Sequence, residues 1–61
     1  MWTTFAAEIP EQDMMLKITN GYEEFYGEIN SYGDLELYGS GGDVIYGDEL
    51  VYDTFMKWRY E

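Results

Sequence analysis

Glu24, Tyr26 and Glu28, then Glu36 and Tyr38, alternate with other residues through the middle of a 61-residue chain. Carboxylates and phenols at every second position can work as an acid–base pair, ligate a hard cation, or present fixed negative charge. Acid–base work on a substrate needs a pocket, and a single thin core leaves little room for one. Cysteine and histidine are both absent. Thiolate chemistry, imidazole bases and the commonest metal ligand are therefore missing. Ser31 and Ser40 fall in expected turns with no base to activate them, so the chain is read as a non-enzyme with no cofactor. Calcium chemistry ranks as an alternative because oxygen ligands abound. Gly42-Asp43 and Gly47-Asp48-Glu49 nonetheless lack the spacing of an EF-hand loop. The stretch Gly39-Ser40-Gly41-Gly42 has no lysine after it and reads as a plain turn, not a phosphate cradle.

Thirteen Asp and Glu stand against Lys17, Lys57 and Arg59, a net charge of −10. Binding nucleic acid takes cationic contacts to phosphate, and an anionic membrane surface attracts basic segments. Neither is expected as a direct partner. A basic protein, reached by electrostatic steering, is. Two tryptophans, three phenylalanines and seven tyrosines argue for a folded domain, since disordered acidic chains are poor in aromatics. Residues 1–61 are expected to form one acidic β-rich domain. Without disulfides its stability rests on a small core or on a partner subunit. The opening residues show no basic, apolar leader, and a cytoplasmic location is expected, that of a host cell if the chain is phage-encoded.

Turn residues set the elements that must hold the carboxylates. Asn20-Gly21 predicts a two-residue hairpin between a strand at Met14–Thr19 and one over residues 22–29. Ser31-Tyr32-Gly33 predicts a three-residue loop with a left-handed glycine, leading into residues 34–38. Ser40-Gly41-Gly42 predicts the turn into residues 43–46. These turns set Leu16 opposite Phe25, Lys17 opposite Glu24, Ile29 opposite Leu35, Glu28 opposite Glu36, Tyr26 opposite Tyr38 and Leu37 opposite Ile45. Period-two alternation then sorts the side chains. Leu16, Phe25, Ile29, Leu35, Leu37 and Ile45 share a core face. Asp13, Lys17, Glu24, Tyr26, Glu28, Asp34, Glu36, Tyr38 and Tyr46 share the other. Residues 2–9 alternate in part, with Phe5, Ala7 and Ile9 on one side. The C-terminal stretch reads as a strand with Trp58 and Tyr60 against Lys57 and Arg59, or as a short helix with Val51, Phe55 and Trp58 in a stripe; its composition favours the strand. The fold class is all-β or β-rich α+β, an antiparallel meander of about four to six strands.

Acidic surface mimicry is the sharpest reading of this pattern. Carboxylates two residues apart on a strand are about 6.7 Å apart, about two steps of the roughly 3.4 Å charge spacing along one DNA strand. A rigid sheet bearing Glu24, Glu28, Asp34, Glu36 and Asp48 offers a preordered anionic lattice to arginine. Glu49 and Asp13 extend it, and Tyr26, Tyr38 and Tyr46 add flat contact area. Acidity also keeps small proteins soluble, but solubility does not require Glu28 directly across from Glu36, a pairing that destabilises a sheet.

Small size, extreme acidity, many aromatics and no Cys or His resemble the small phage-encoded inhibitors of defence and host enzymes. These include DNA-mimic anti-restriction, anti-CRISPR and uracil-DNA glycosylase inhibitor proteins. The resemblance is one of composition, carries no residue over, and implies a stoichiometric inhibitor seated in a basic groove of a nucleic-acid enzyme. Phe25-Tyr26-Gly27-Glu28 recurs as Ile45-Tyr46-Gly47-Asp48 and looks a little like the hairpin units called MORN repeats, though the glycine spacing differs. The alternatives are a homodimer or assembly protein that buries its aromatic face between subunits, and a calcium-dependent binding module.

Overall fold

A computed structural model describes residues 1–39 and 42–61. Its elements are β1 (Thr3–Thr4), β2 (Leu16–Thr19), β3 (Glu24–Ile29), β4 (Leu35–Tyr38), β5 (Val44–Ile45), α1 (Gly47–Leu50) and β6 (Lys57–Tyr60). The strands form one antiparallel sheet in the order β1-β6-β2-β3-β4-β5. The C-terminal segment is thus a strand, and it enters the sheet between β1 and β2. The chain is β-rich, as its alternation predicts. No helix among the described residues is long and apolar enough to cross a membrane.

The expected β3–β4 pairing holds in full. Tyr26 faces Tyr38, Glu28 faces Glu36 and Ile29 faces Leu35, and Gly33 takes the left-handed φ of 86° that its loop position requires. Two other registers are corrected. Leu16 faces Gly27 and not Phe25, and Lys17 faces Tyr26 and not Glu24. The cause is Asn20, which flanks the turn and does not sit within it. Its Oδ1 accepts from the amides of Tyr22 (2.9 Å) and Glu23 (2.8 Å), an Asx turn that moves the tight corner to Gly21-Tyr22, with Gly21 at φ 93°. Likewise Ile45 faces Leu35 and not Leu37, while Glu36 faces Val44. Ser40 and Gly41 of that expected turn lie outside the described residues. Both slips are by two residues, so no side chain changes face.

Two further expectations fail in part. The N-terminal alternation pairs only over Thr3–Thr4. The carbonyl of Thr4 then accepts from the amides of Ala7 and Glu8, and that turn leaves Ala7 and Ile9 exposed. The C-terminal strand does not run back through Tyr52 and Thr54. Asp53 Oδ1 accepts from the amides of Phe55 (2.8 Å) and Met56 (2.9 Å), a local turn that competes with strand pairing. Ahead of it stands α1, a single helical turn.

The core is Phe5, Leu16, Ile18, Ile29, Leu35, Leu50 and Trp58, with Phe25, Leu37, Ile45 and Met56 packed against it. All six of the expected core-face residues are in this set. Leu50 comes from α1 and Phe5 from the N-terminal turn, so both non-sheet segments cover the inward face. Trp58 Nε1 donates to the carbonyl of Glu8 (2.9 Å), and the Glu11 amide donates to the Tyr60 hydroxyl (3.1 Å). These two bonds strap residues 8–11 across β6.

Candidate functional site

With one face of the sheet buried, the other collects the polar alternates of the strands, with Val44 the exception on β5. The pairings define rows across it. One row runs Arg59, Lys17, Tyr26, Tyr38 through β6, β2, β3 and β4. Trp2 closes its end, its ring 5.2 Å from the Arg59 guanidinium. Lys17 Nζ stands 5.9 Å from the centre of the Tyr26 ring. A second row runs Thr4, Lys57, Thr19, Glu24. A third holds Glu28, Glu36 and Val44.

Glu28 and Glu36 carry the local electrostatics. They stand directly opposite on adjacent strands, yet neither is paired with a cation among the described residues. The Tyr38 hydroxyl donates to Glu28 Oε1, and Asn30 Nδ2 donates to Glu36 Oε2 at 2.7 Å. Neutral donors fix the carboxylates without cancelling their charge. Asn30 is fixed in turn, because its Oδ1 accepts from the amides of Tyr32 (2.9 Å) and Asp34 (3.1 Å). Lys17 reaches Glu24 instead, at 3.5 Å, with more than half of the Glu24 side chain exposed. A pair so open to water is worth little.

The same contacts act on Tyr38. Its hydrogen bond to Glu28 comes first, then partial desolvation and the charges of Glu28, Glu36 and Asp13; together they push its hydroxyl from 10.0 to about 12. The protonated phenol is the form the fold favours. Its stabilising contribution is complete below pH 10.0 and is lost as pH rises toward about 12. In an alkaline absorbance titration, the wild type minus Tyr38→Phe difference is expected to rise near pH 12. A difference curve centred on the ordinary value of 10.0 would show that the hydroxyl does not bond to Glu28.

The ten residues expected to bind a partner do not form one site. Glu24, Tyr26, Glu28, Glu36 and Tyr38 lie together on β3 and β4. Asp34, Tyr46, Asp48 and Glu49 surround an open notch of about 580 Å³ that Ile9, Tyr32 and Val51 help to line. Asp34 has a structural task there, since its Oδ1 accepts from the Gly47 amide at 2.8 Å and holds the start of α1. Asp13 sits in the bend before β2 at φ 61°, its amide bonded to the Ile29 carbonyl. Among the described residues no group of three or more Asp and Glu converges to hold a metal ion.

The residues missed by sequence reasoning are Arg59, Lys57 and Trp2, which share the outward face, and Asn30, which orders it. The alternation of Lys57 and Arg59 about Trp58 was visible. Their placement beside Lys17 depends on β6 lying next to β2, which no local pattern encodes. No family model matches this chain, and no curated protein or solved structure matches it either.

Proposed function

We propose that this chain is a non-catalytic binding protein whose carboxylate ridge on β3 and β4 docks on a basic protein surface. In its sharper form, the ridge occupies the nucleic-acid site of a DNA- or RNA-handling enzyme and inhibits it. The observation that supports this reading is the Glu28–Glu36 pair. Each carboxylate is oriented by a neutral hydrogen-bond donor, and neither is paired with a cation among the described residues. Holding like charges opposite one another costs stability, and that cost is recovered when arginine or lysine arrives. Ordering the acids in advance spares the complex part of the entropy of binding. Tyr26 and Tyr38, each a little under half exposed, flank the pair and offer flat surface to a guanidinium.

An arginine-rich peptide tests this directly. Binding should weaken steeply with added salt. The double variant Glu28→Gln, Glu36→Gln should lose affinity by about 10-fold or more, as expected when a buried charge contact of 1.4 kcal/mol or so is removed. Asp48→Asn with Glu49→Asn, made on the notch, should change it by less than about 3-fold. Duplex DNA added to the complex should release the protein in proportion to the peptide it captures. Equal losses from the ridge and notch variants would mean that net charge alone drives binding, and would overturn the proposal.

A further inference from the structure

Charge on the outward face is segregated by strand. Lys17, Lys57 and Arg59 are all the basic residues of the chain, and all three project outward from the neighbouring strands β2 and β6. Glu24, Glu28 and Glu36 project from β3 and β4 on the same side. Within each half, like stands across from like: Arg59 faces Lys17 and Glu28 faces Glu36. Two such pairs on one small sheet are each unfavourable in isolation. We propose that this face is a self-complementary interface through which two copies of the chain form a two-fold dimer.

The geometry follows from the rows. A two-fold axis lying in the face, along the strands and between β2 and β3, exchanges the cationic and anionic halves. Arg59 and Lys17 of one copy then lie over Tyr38 and Tyr26 of the other, because the four share a row. Glu28 and Glu36 are one outward row away, about 6.7 Å along the strands, within the span of an arginine or lysine side chain. Lys57 comes over the row that ends in Glu24. Cations above tyrosine rings with carboxylates beside them satisfy both halves, and each contact occurs twice, as an isologous interface requires. The molecule spans 25 × 25 × 19 Å. That limits the footprint to about 600 Å² per copy, the small end for a specific interface, so the dimer is a reversible one.

The net charge of −10 opposes the approach of two copies. Screening separates the two effects. The Debye length is about 30 Å at 0.01 M salt, about 8 Å at 0.15 M and about 3 Å at 1 M. Near physiological salt the repulsion between distant acids is screened while contacts of a few ångströms are not. Dimerisation goes beyond the binding role proposed above and does not require it. The two share Glu28 and Glu36, so each excludes the other.

Sedimentation velocity from about 10 µM to about 1 mM protein reads the dimer, in the range of a small, transient interface. Its population is expected to be low at about 10 mM salt, greatest near 150 mM and low again near 1 M. Two charge reversals sharpen the test. Lys17→Glu with Arg59→Glu, and Glu28→Lys with Glu36→Lys, should each be monomeric alone and should associate when mixed, one face being then anionic and the other cationic. The second variant carries −6 against the wild type's −10, since each reversal adds two charges. Net charge alone would make it associate more strongly than the wild type. A wild type that stays monomeric throughout, a Glu28→Lys, Glu36→Lys protein that associates more than wild type, or folded variants that ignore one another would each overturn the dimer. The wild-type salt profile needs no variant and remains decisive if a reversal unfolds the chain. Lys17→Glu with Arg59→Glu leaves the acidic ridge intact, so retained peptide binding by that monomer distinguishes loss of the dimer from loss of the binding role.

Discussion

Gly27→Ala is expected to remove a large part of the protein's stability at room temperature. Gly27 lies in the middle of β3, between Leu16 of β2 and Leu37 of β4, and is buried. A Cβ built there would stand 2.5 Å from the Glu36 carbonyl oxygen and 3.1 Å from Ile18 Cδ1. The second contact can yield, because it is the end of a side chain. The first is backbone within the sheet, and moving it disturbs the pairing that sets Glu28 across from Glu36. Overpacking a core, with the backbone shifts it forces, costs about 1–3 kcal/mol and occasionally more. A single core in a domain this small supplies only about 3–5 kcal/mol of net stability. Urea denaturation followed by circular dichroism measures the loss. Gly21→Ala serves as the contrast: its φ of 93° is strained for alanine, but nothing lies within 4 Å of the new methyl group, so a loss of about 1 kcal/mol is expected. Equal effects at the two positions would contradict the close approach of β4 over Gly27.

Leu50→Ala is expected to cost about 2–5 kcal/mol, the range for truncating a buried leucine. The four residues of α1 cannot hold a helix alone, because nucleating one turn is unfavourable. No side chain caps α1 from its own N-cap residue. What holds it is Leu50, fully buried in the core cluster, together with the bond from the Gly47 amide to Asp34. Removing the leucine side chain should lower the melting temperature and abolish hydrogen-exchange protection at the amides of Leu50 and Val51, which bond to the carbonyls of Tyr46 and Gly47. Val51→Ala, at a residue about half exposed, should change stability by less than about 0.5 kcal/mol. Protection that survives in Leu50→Ala would mean that α1 is held by something other than its core contact.

The sequence shows how far alternation carries and where it stops. Period two placed Leu16, Ile29 and Leu35 inward and Glu24, Tyr26, Glu28, Glu36 and Tyr38 outward, and the fold does the same. The Ser31-Tyr32-Gly33 loop is legible to the residue, because a left-handed glycine after two turn residues fixes both loop length and register. Asn20-Gly21 misled by one position. Asn both tolerates the inside of a turn and caps one from outside with its side chain, and here it does the latter. Tertiary facts were illegible. Nothing local places β6 beside β2, so the sequence puts Lys17 on the outward face but does not bring Lys57 and Arg59 next to it. Nothing local predicts a single helical turn at Gly47–Leu50, where a buried leucine and an outside carboxylate replace the usual length and caps.

The proposed role rests on whether the outward carboxylates of β3 and β4 act as one docking surface. Titrating the labelled protein with an arginine-rich peptide, and following backbone amides and side-chain carboxyls by NMR, resolves this residue by residue. Shifts should concentrate on Glu24, Tyr26, Glu28, Glu36 and Tyr38 and should leave Asp48, Glu49, Glu8 and Glu11 nearly unmoved. Shifts spread evenly over all the exposed acids would show that the peptide answers to net charge, and that the ridge on β3 and β4 is not a binding site.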